Sequence, residues 1–147
     1  MRRLTIAVAA LGSCVLAGCE DRDAVFVEQL AIVNINPSHG AVGIGYDTDI
    51  TVTFSDVLDV STVTSANMCL TADSAPPPDA TSPCSTGTPV PATVTYDAQT
   101  ASARLVPTDD LLPDERYTLH LTPALASPET GALAAPVSAS FRTIPSA

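Results

Sequence analysis

The sequence predicts an all-β protein, an antiparallel sandwich of about seven strands. Three observations carry that expectation. Ile50, Val52 and Phe54 alternate with Thr51, Thr53 and Ser55, the period-two pattern of a strand with one buried face and one wet face. Short runs of the same kind recur down the chain, separated by clusters of Pro, Gly, Asp and Ser that favour turns. Once an N-terminal leader is set aside, about 115 residues remain, enough for one domain with a single core.

Residues 1–18 read as an export signal, with Arg2 and Arg3, an apolar run over 4–16 and then small residues. The run is short for a membrane-spanning helix. Residues 19–31 form an acidic tether whose reach, fully extended, is at most about 35–40 Å. The domain is expected over 32–147. Its first strand, 32–36, alternates Val33 and Ile35 with Asn34 and Asn36 and stops at Pro37, which has no N–H to continue a ladder. Ser38-His39-Gly40 and Gly43-Ile44-Gly45 read as turn chemistry. A second strand follows from Asp49, and a third from Asn67, carrying Met68 and Leu70. Residues 72–91 contain Pro76-Pro77-Pro78 and read as a loop, either a stiff connection or a proline-rich ligand for another domain. Then come a strand at 93–96, a turn at 97–100 and a strand at 102–106 with Ala103 and Leu105 inward. Residues 107–110 break the chain. Tyr117, Leu119 and Leu121 alternate with Thr118, His120 and Thr122, and after a turn at 127–131 Val137, Ala139 and Phe141 form the last strand.

Charge narrows the partners. The net charge is −10, there is no Lys, and from Cys19 onward four Arg face all sixteen acids. Nucleic acid and anionic lipid surfaces are excluded as partners because both require clustered positive charge. Without Trp and with few Tyr, the chain also lacks material for a sugar-stacking platform.

Two resemblances follow from particular residues. Leu16-Ala17-Gly18-Cys19 resembles the lipobox of bacterial lipoproteins, which implies cleavage before Cys19 and acyl chains, palmitate among them, on that residue. Two chains suffice for stable membrane anchoring. Glu20, in the place where Asp marks inner-membrane retention, favours the outer membrane, with the domain in the periplasm or at the cell surface. From about Val33 to Thr143 the chain resembles a bacterial Ig-like domain of the surface-layer SbsA type. The residues that carry this are Asn36-Pro37-Ser38-His39-Gly40-Ala41-Val42, Ile50-Thr51-Val52-Thr53-Phe54-Ser55, Ser61-Thr62-Val63-Thr64 before Asn67-Met68, Val94-Thr95-Tyr96-Asp97, Leu105-Val106-Pro107, and Ser140-Phe141-Arg142-Thr143. The resemblance implies an Ig-like sandwich serving as a spacer, an adhesive module or a protein–protein platform. Leu111-Leu112-Pro113 followed by Tyr117 also resembles the tyrosine corner of such sandwiches, which implies a buried Tyr117 whose hydroxyl bonds to backbone just upstream.

Of the four cysteines, Cys14 leaves with the leader and Cys19 takes the lipid. In an exported chain a Cys69–Cys84 disulfide is the default. A free thiol pair, or a zinc site using His39 and His120, are the alternatives, and no Cys-x-x-Cys or His-x-x-x-His spacing supports zinc. No nucleophile elbow, phosphate-cradling Gly loop or positioned Ser–His–acid group is visible, so no enzyme and no cofactor are expected. Alternating strands would put Asp47, Asp49, Asp73, Asp79, Asp109, Asp110, Asp114 and Glu115 at the end opposite the tether, a possible weak Ca²⁺ site of an adhesion module. The same connectivity puts the proline-rich loop, with Cys84, at that far end. The function expected is a lipid-anchored envelope module, binding or structural, that engages an envelope or surface protein. The alternative is an accessory or inhibitor subunit holding an enzyme at the membrane.

Overall fold

In the computed structural model, which describes residues 28–147, the alternating runs become two four-stranded sheets around one core. The expected leader, Cys19 and most of the tether lie outside the described residues. The strands in chain order are β1 (Ile32–Asn36), β2 (Ala41–Ile44), β3 (Ile50–Phe54), β4 (Met68–Ala72), β5 (Ala92–Asp97), β6 (Ser102–Pro107), β7 (Arg116–Leu121), β8 (Ala126–Ser127), β9 (Gly131–Ala132) and β10 (Val137–Thr143). One sheet has the order β1-β3-β6-β5 and the other β2-β10-β7-β4, while β8 and β9 pair only with each other. All pairings are antiparallel except β2 against β10.

Side-chain period explains the core. Ile50, Val52 and Phe54 of β3, Ala103 and Leu105 of β6, and Tyr117, Leu119 and Leu121 of β7 point between the sheets and are buried. Each such Leu, Ile or Val contributes about 1.5–3 kcal/mol by leaving water. The loop after β7 adds Leu125 and Leu133, closed by a hydrogen bond from Leu133 N–H to the Leu125 carbonyl. Leu30, two residues before the first strand, is also in the core. Ser55 fastens this entrance: its N–H donates to the Ala31 carbonyl and its Oγ accepts from the Ala31 N–H.

Three expectations change. Ala41–Ile44, which overlaps the turn expected at 43–45, forms β2: past the cis Asn36–Pro37 peptide the chain leaves the first sheet and pairs with β10 in the second. Gly40 and Gly43 do take the positive φ that turn chemistry suggested. Their neighbours are nonetheless recruited by a partner about a hundred residues away, with Gly40 N–H donating to the Ser140 carbonyl and Ile144 N–H to the Ile44 carbonyl. Second, β4 does not alternate, because Met68, Cys69, Leu70 and Thr71 are all buried. Third, the proline-rich segment leaves β4 at the expected end but does not stay there. It folds back over the sheet until Cys84 meets Cys69, near the start of β4. That contact explains the buried outer face of β4.

Candidate functional site

In a bare two-layer sandwich the outward rows of the second sheet would face water. The register lines up Cys69, His120 and Ser138 in one row and Thr71, Thr118 and Ser140 in the next. Here the segment between β4 and β5 covers part of both rows, forming a clasp. A Cys69–Cys84 disulfide with S–S 2.03 Å pins it, so the two thiols are neither free nor zinc ligands. Thr71 forms a bridge with Pro89, and Val90 N–H donates to the Leu70 carbonyl at 2.7 Å.

The clasp is held by its own short-range bonds, since its prolines supply no donors. The Asp79 carboxylate accepts from the Thr81 N–H at 2.7 Å and the Thr81 hydroxyl at 2.6 Å, and Asp79 N–H donates to Thr86 Oγ1 at 2.9 Å. These bonds hold the Asp79 carboxyl below its ordinary value, the Thr81 hydroxyl being the larger cause. A single helical turn, α1 (Pro83–Thr86), carries Cys84 and ends at Gly87. A Cβ on Gly87 would stand 2.8 Å from Pro78 Cβ and 3.1 Å from the Pro83 carbonyl oxygen. Only glycine lets the proline run close down on the turn.

His120 lies at the centre of this arrangement. Its Nε2 shares a 3.0 Å hydrogen bond with Thr71 Oγ1, and burial holds the imidazole below its ordinary pKa of 6.5. The ring is therefore neutral at neutral pH. Two clefts reach it from either side of Pro78. One, of about 350 Å³, is walled by Pro78, Pro83, Val137 and Ser138. The other, of about 340 Å³, is walled by Thr71, Asp73, Pro77 and Thr118. Proline and valine, with serine, threonine and aspartate beside them, thus wall in one neutral imidazole.

The remaining predicted residues fall elsewhere. Tyr117 is buried, stacks on Phe141 at 5.9 Å between ring centroids, and accepts the Leu112 N–H at 2.8 Å. Burial raises its hydroxyl above the ordinary value of 10.0. His39 accepts the Ser140 N–H through Nδ1 at 3.1 Å, which ties the turn before β2 to β10. Of the eight acids expected to gather at the far end, three are taken by arginines: Asp49 by Arg104, Asp73 by Arg116 at 3.5 Å and Asp114 by Arg142 at 3.0 Å. Among the described residues no three His, Cys, Asp or Glu side chains converge as a metal site, so Asp47, Asp109 and Asp110 complete no cation cage. Arginines on neighbouring strands thus divide these acids among separate ion pairs. The Cys69–Cys84 link between strand and proline-rich loop is legible in the sequence; the folding of that loop back over the sheet onto His120 is not.

Comparison with known proteins agrees with this architecture. No curated protein sequence matches the chain significantly. Among solved structures, the surface-layer protein SbsC, domains 1–6, superposes with a TM-score of 0.56 at 14% identity, covering 90% of this chain and 16% of that one. The present chain thus spans about a sixth of that protein. PcoC, a methionine-rich copper resistance protein from Escherichia coli, gives 0.56 at 17% identity over 79% of this chain and 99% of that one. CopC from Methylosinus trichosporium OB3b gives 0.52 at 12% identity over 81% and 97%. Such identities establish a shared fold alone. The family profile described as bacterial Ig-like domain matches residues 27–143, from just before the buried Leu30 to the end of β10. With that match and the two-sheet topology, the chain belongs to the bacterial Ig-like domain family.

Proposed function

We propose that this protein is a lipid-anchored module of the bacterial cell envelope, one Ig-like domain held at a membrane through Cys19 and presenting a non-catalytic binding surface. The observation that carries the anchor is Leu16-Ala17-Gly18-Cys19 behind a basic and then apolar leader. Glu20 favours the outer membrane. The domain geometry supports close tethering: Leu30 and Ala31 lock onto Ser55 at the end where β1 begins, so the stretch from Cys19 to the packed domain spans no more than about 40 Å. The clasped face supports the binding role, since a disulfide-stapled loop over a sheet is pre-organised and costs little ordering entropy on contact. Its partner is an envelope or surface protein.

The test is metabolic labelling with an alkyne fatty acid, followed by fractionation, for the parent and for Cys19→Ser. The parent is expected to carry label and sediment with membranes, and Cys19→Ser to lose the label. An unlabelled parent found entirely in the soluble fraction overturns the anchor. Crosslinking on intact cells then separates the two roles: a single defined enzyme captured in stoichiometric yield would make the protein an accessory subunit instead of a general surface module.

A further inference from the structure

Each four-stranded sheet has two edges, β1 and β5 in one and β2 and β4 in the other. An open edge offers unpaired N–H and C=O groups to any passing strand, and folded proteins guard edges with proline, bulges, short length or charge. Three edges here are guarded. Residues 89–91 run along β4, with Pro89 and Pro91 offering no further donor. β2 has four residues, a Gly43 at φ 72 and a register shift against β10. β1 has a register shift between Ile32 and Asn34 and ends at Pro37.

β5 carries none of these devices. Ala92–Asp97 keeps an unbroken register with β6 over six residue pairs, contains no Pro or Gly, and has its single charge at the last residue. The Pro91 carbonyl accepts the Thr108 N–H at 2.8 Å. Backbone groups alternate in direction along an antiparallel strand, so Thr93, Thr95 and Asp97 bond to β6, whereas Ala92, Val94 and Tyr96 aim theirs away from it. Beside this edge, between β5 and β4, opens a cleft of about 220 Å³ reaching Met68, Val94 and Leu105, with the Cys69–Cys84 disulfide in its wall. A strand added along β5 would point every second side chain into that opening.

Charge identifies the occupant. The three arginines of the described residues are each engaged by Asp49, Asp73 or Asp114. Asp97 at one end of β5 and Asp109 and Asp110 just beyond the Pro107 that pairs with Ala92 take part in no ion pair among the described residues. Two copies joined through β5 would bring these acids together on chains of net charge −10 each. We propose that β5 is a docking edge for strand addition by an extended segment of a partner protein, apolar at alternate positions and carrying Lys or Arg at its ends. This surface adjoins the clasp, whose Cys69–Cys84 disulfide stands in the wall of the cleft, and does not depend on lipidation.

The probe is a synthetic peptide of alternating valine and threonine flanked by paired arginines, added to the full-length protein and read by amide hydrogen exchange. Protection is expected to rise at Ala92, Val94 and Tyr96, and a version flanked by aspartates should bind at least about tenfold more weakly at low salt. Val94→Pro removes a donor aimed away from β6, and should weaken binding about tenfold, the worth of one hydrogen bond near 1.4 kcal/mol. Thr93→Lys, on the solvent face, guards the edge by charge and keeps the test valid if the proline variant fails to fold. No protection at millimolar peptide, or protection at β1 or β2 instead, overturns the proposal. So does concentration-dependent protection of β5 without peptide, which sedimentation would trace to a second copy.

Discussion

Tyr117 closes one end of the core with its ring and fastens the chain before β7 with its hydroxyl, which accepts the Leu112 N–H. Thr143, also buried, works beside it, its hydroxyl donating to the Leu112 carbonyl at 2.6 Å and accepting from the Glu115 N–H at 3.0 Å. Tyr117→Phe keeps the ring and leaves one amide without its acceptor. The expected loss is about 1 kcal/mol, checked by urea unfolding at pH 7, with an unchanged slope because the buried area is conserved. His120 gives the protein a pH response. Burial depresses its folded-state pKa below 6.5, so as pH falls the unfolded chain takes up that proton before the folded one does. Stability is therefore intact above about pH 6.5 and declines as pH falls from there toward the depressed folded value. The groups facing the ring are Thr71 and, across the two clefts, Asp79 and Asp73. The carboxyls of Asp56, Asp59 and Asp79, held below 3.8 by hydroxyl and backbone donors, act only at lower pH. Thermal unfolding at pH 7 and pH 5 should show a drop for the parent and a smaller one for His120→Gln, which still reaches Thr71 but does not titrate.

At the scale of elements, the clasp is the part whose stability is separable from the rest. Its disulfide closes a loop of sequence separation 15, worth at most about 3 kcal/mol in the chain-entropy model. Reduction should lower the unfolding free energy by up to that amount, and the sandwich, whose main ladders lie elsewhere, should remain folded. The distinguishing measurement is limited proteolysis: reduced protein is cut within 73–88, whereas oxidised protein resists there under the same conditions. Equal resistance of both forms would mean that packing of Pro78 on Gly87, and not the covalent bond, holds the clasp down. The exposed ion pairs of Arg116 and Arg142 contribute little to stability, because water and salt screen them.

Across the whole molecule, one core unites both sheets, and the two ends differ in character. At the end where β1 begins, the loop after β3 packs on the loop after β7, with Asp59 N–H donating to the Ala126 carbonyl and Ser127 Oγ donating to Asp56 at 2.8 Å. At the other end, the connection before β3 meets the one before β7 through Leu111 N–H and the Tyr46 carbonyl, and the Tyr46 hydroxyl reaches the Pro145 carbonyl at 3.0 Å. A chain anchored through the first end would turn the second outward and present its sides, the clasped face and the β5 edge, to neighbours in the envelope.

Period-two alternation determined most of this fold from the sequence alone. Whether a side chain faces the core or water is set by its own position along a strand, so β3, β6, β7 and β10 were legible without any partner in view. The tyrosine corner was legible for a similar reason, since Tyr117 and Leu112 lie five residues apart in sequence. What the tertiary structure decided involves partners far apart in the chain. Residues 41–44 become a strand only because β10 is there to pair with them, and the acids that looked free to gather are claimed by arginines 28 to 55 positions away or on adjoining strands. The clasp depends on a covalent bond and on a proline–glycine contact, neither of which leaves a periodic trace. For that reason His120, read as an ordinary residue on the polar face of a strand, proves to sit half-buried between two clefts.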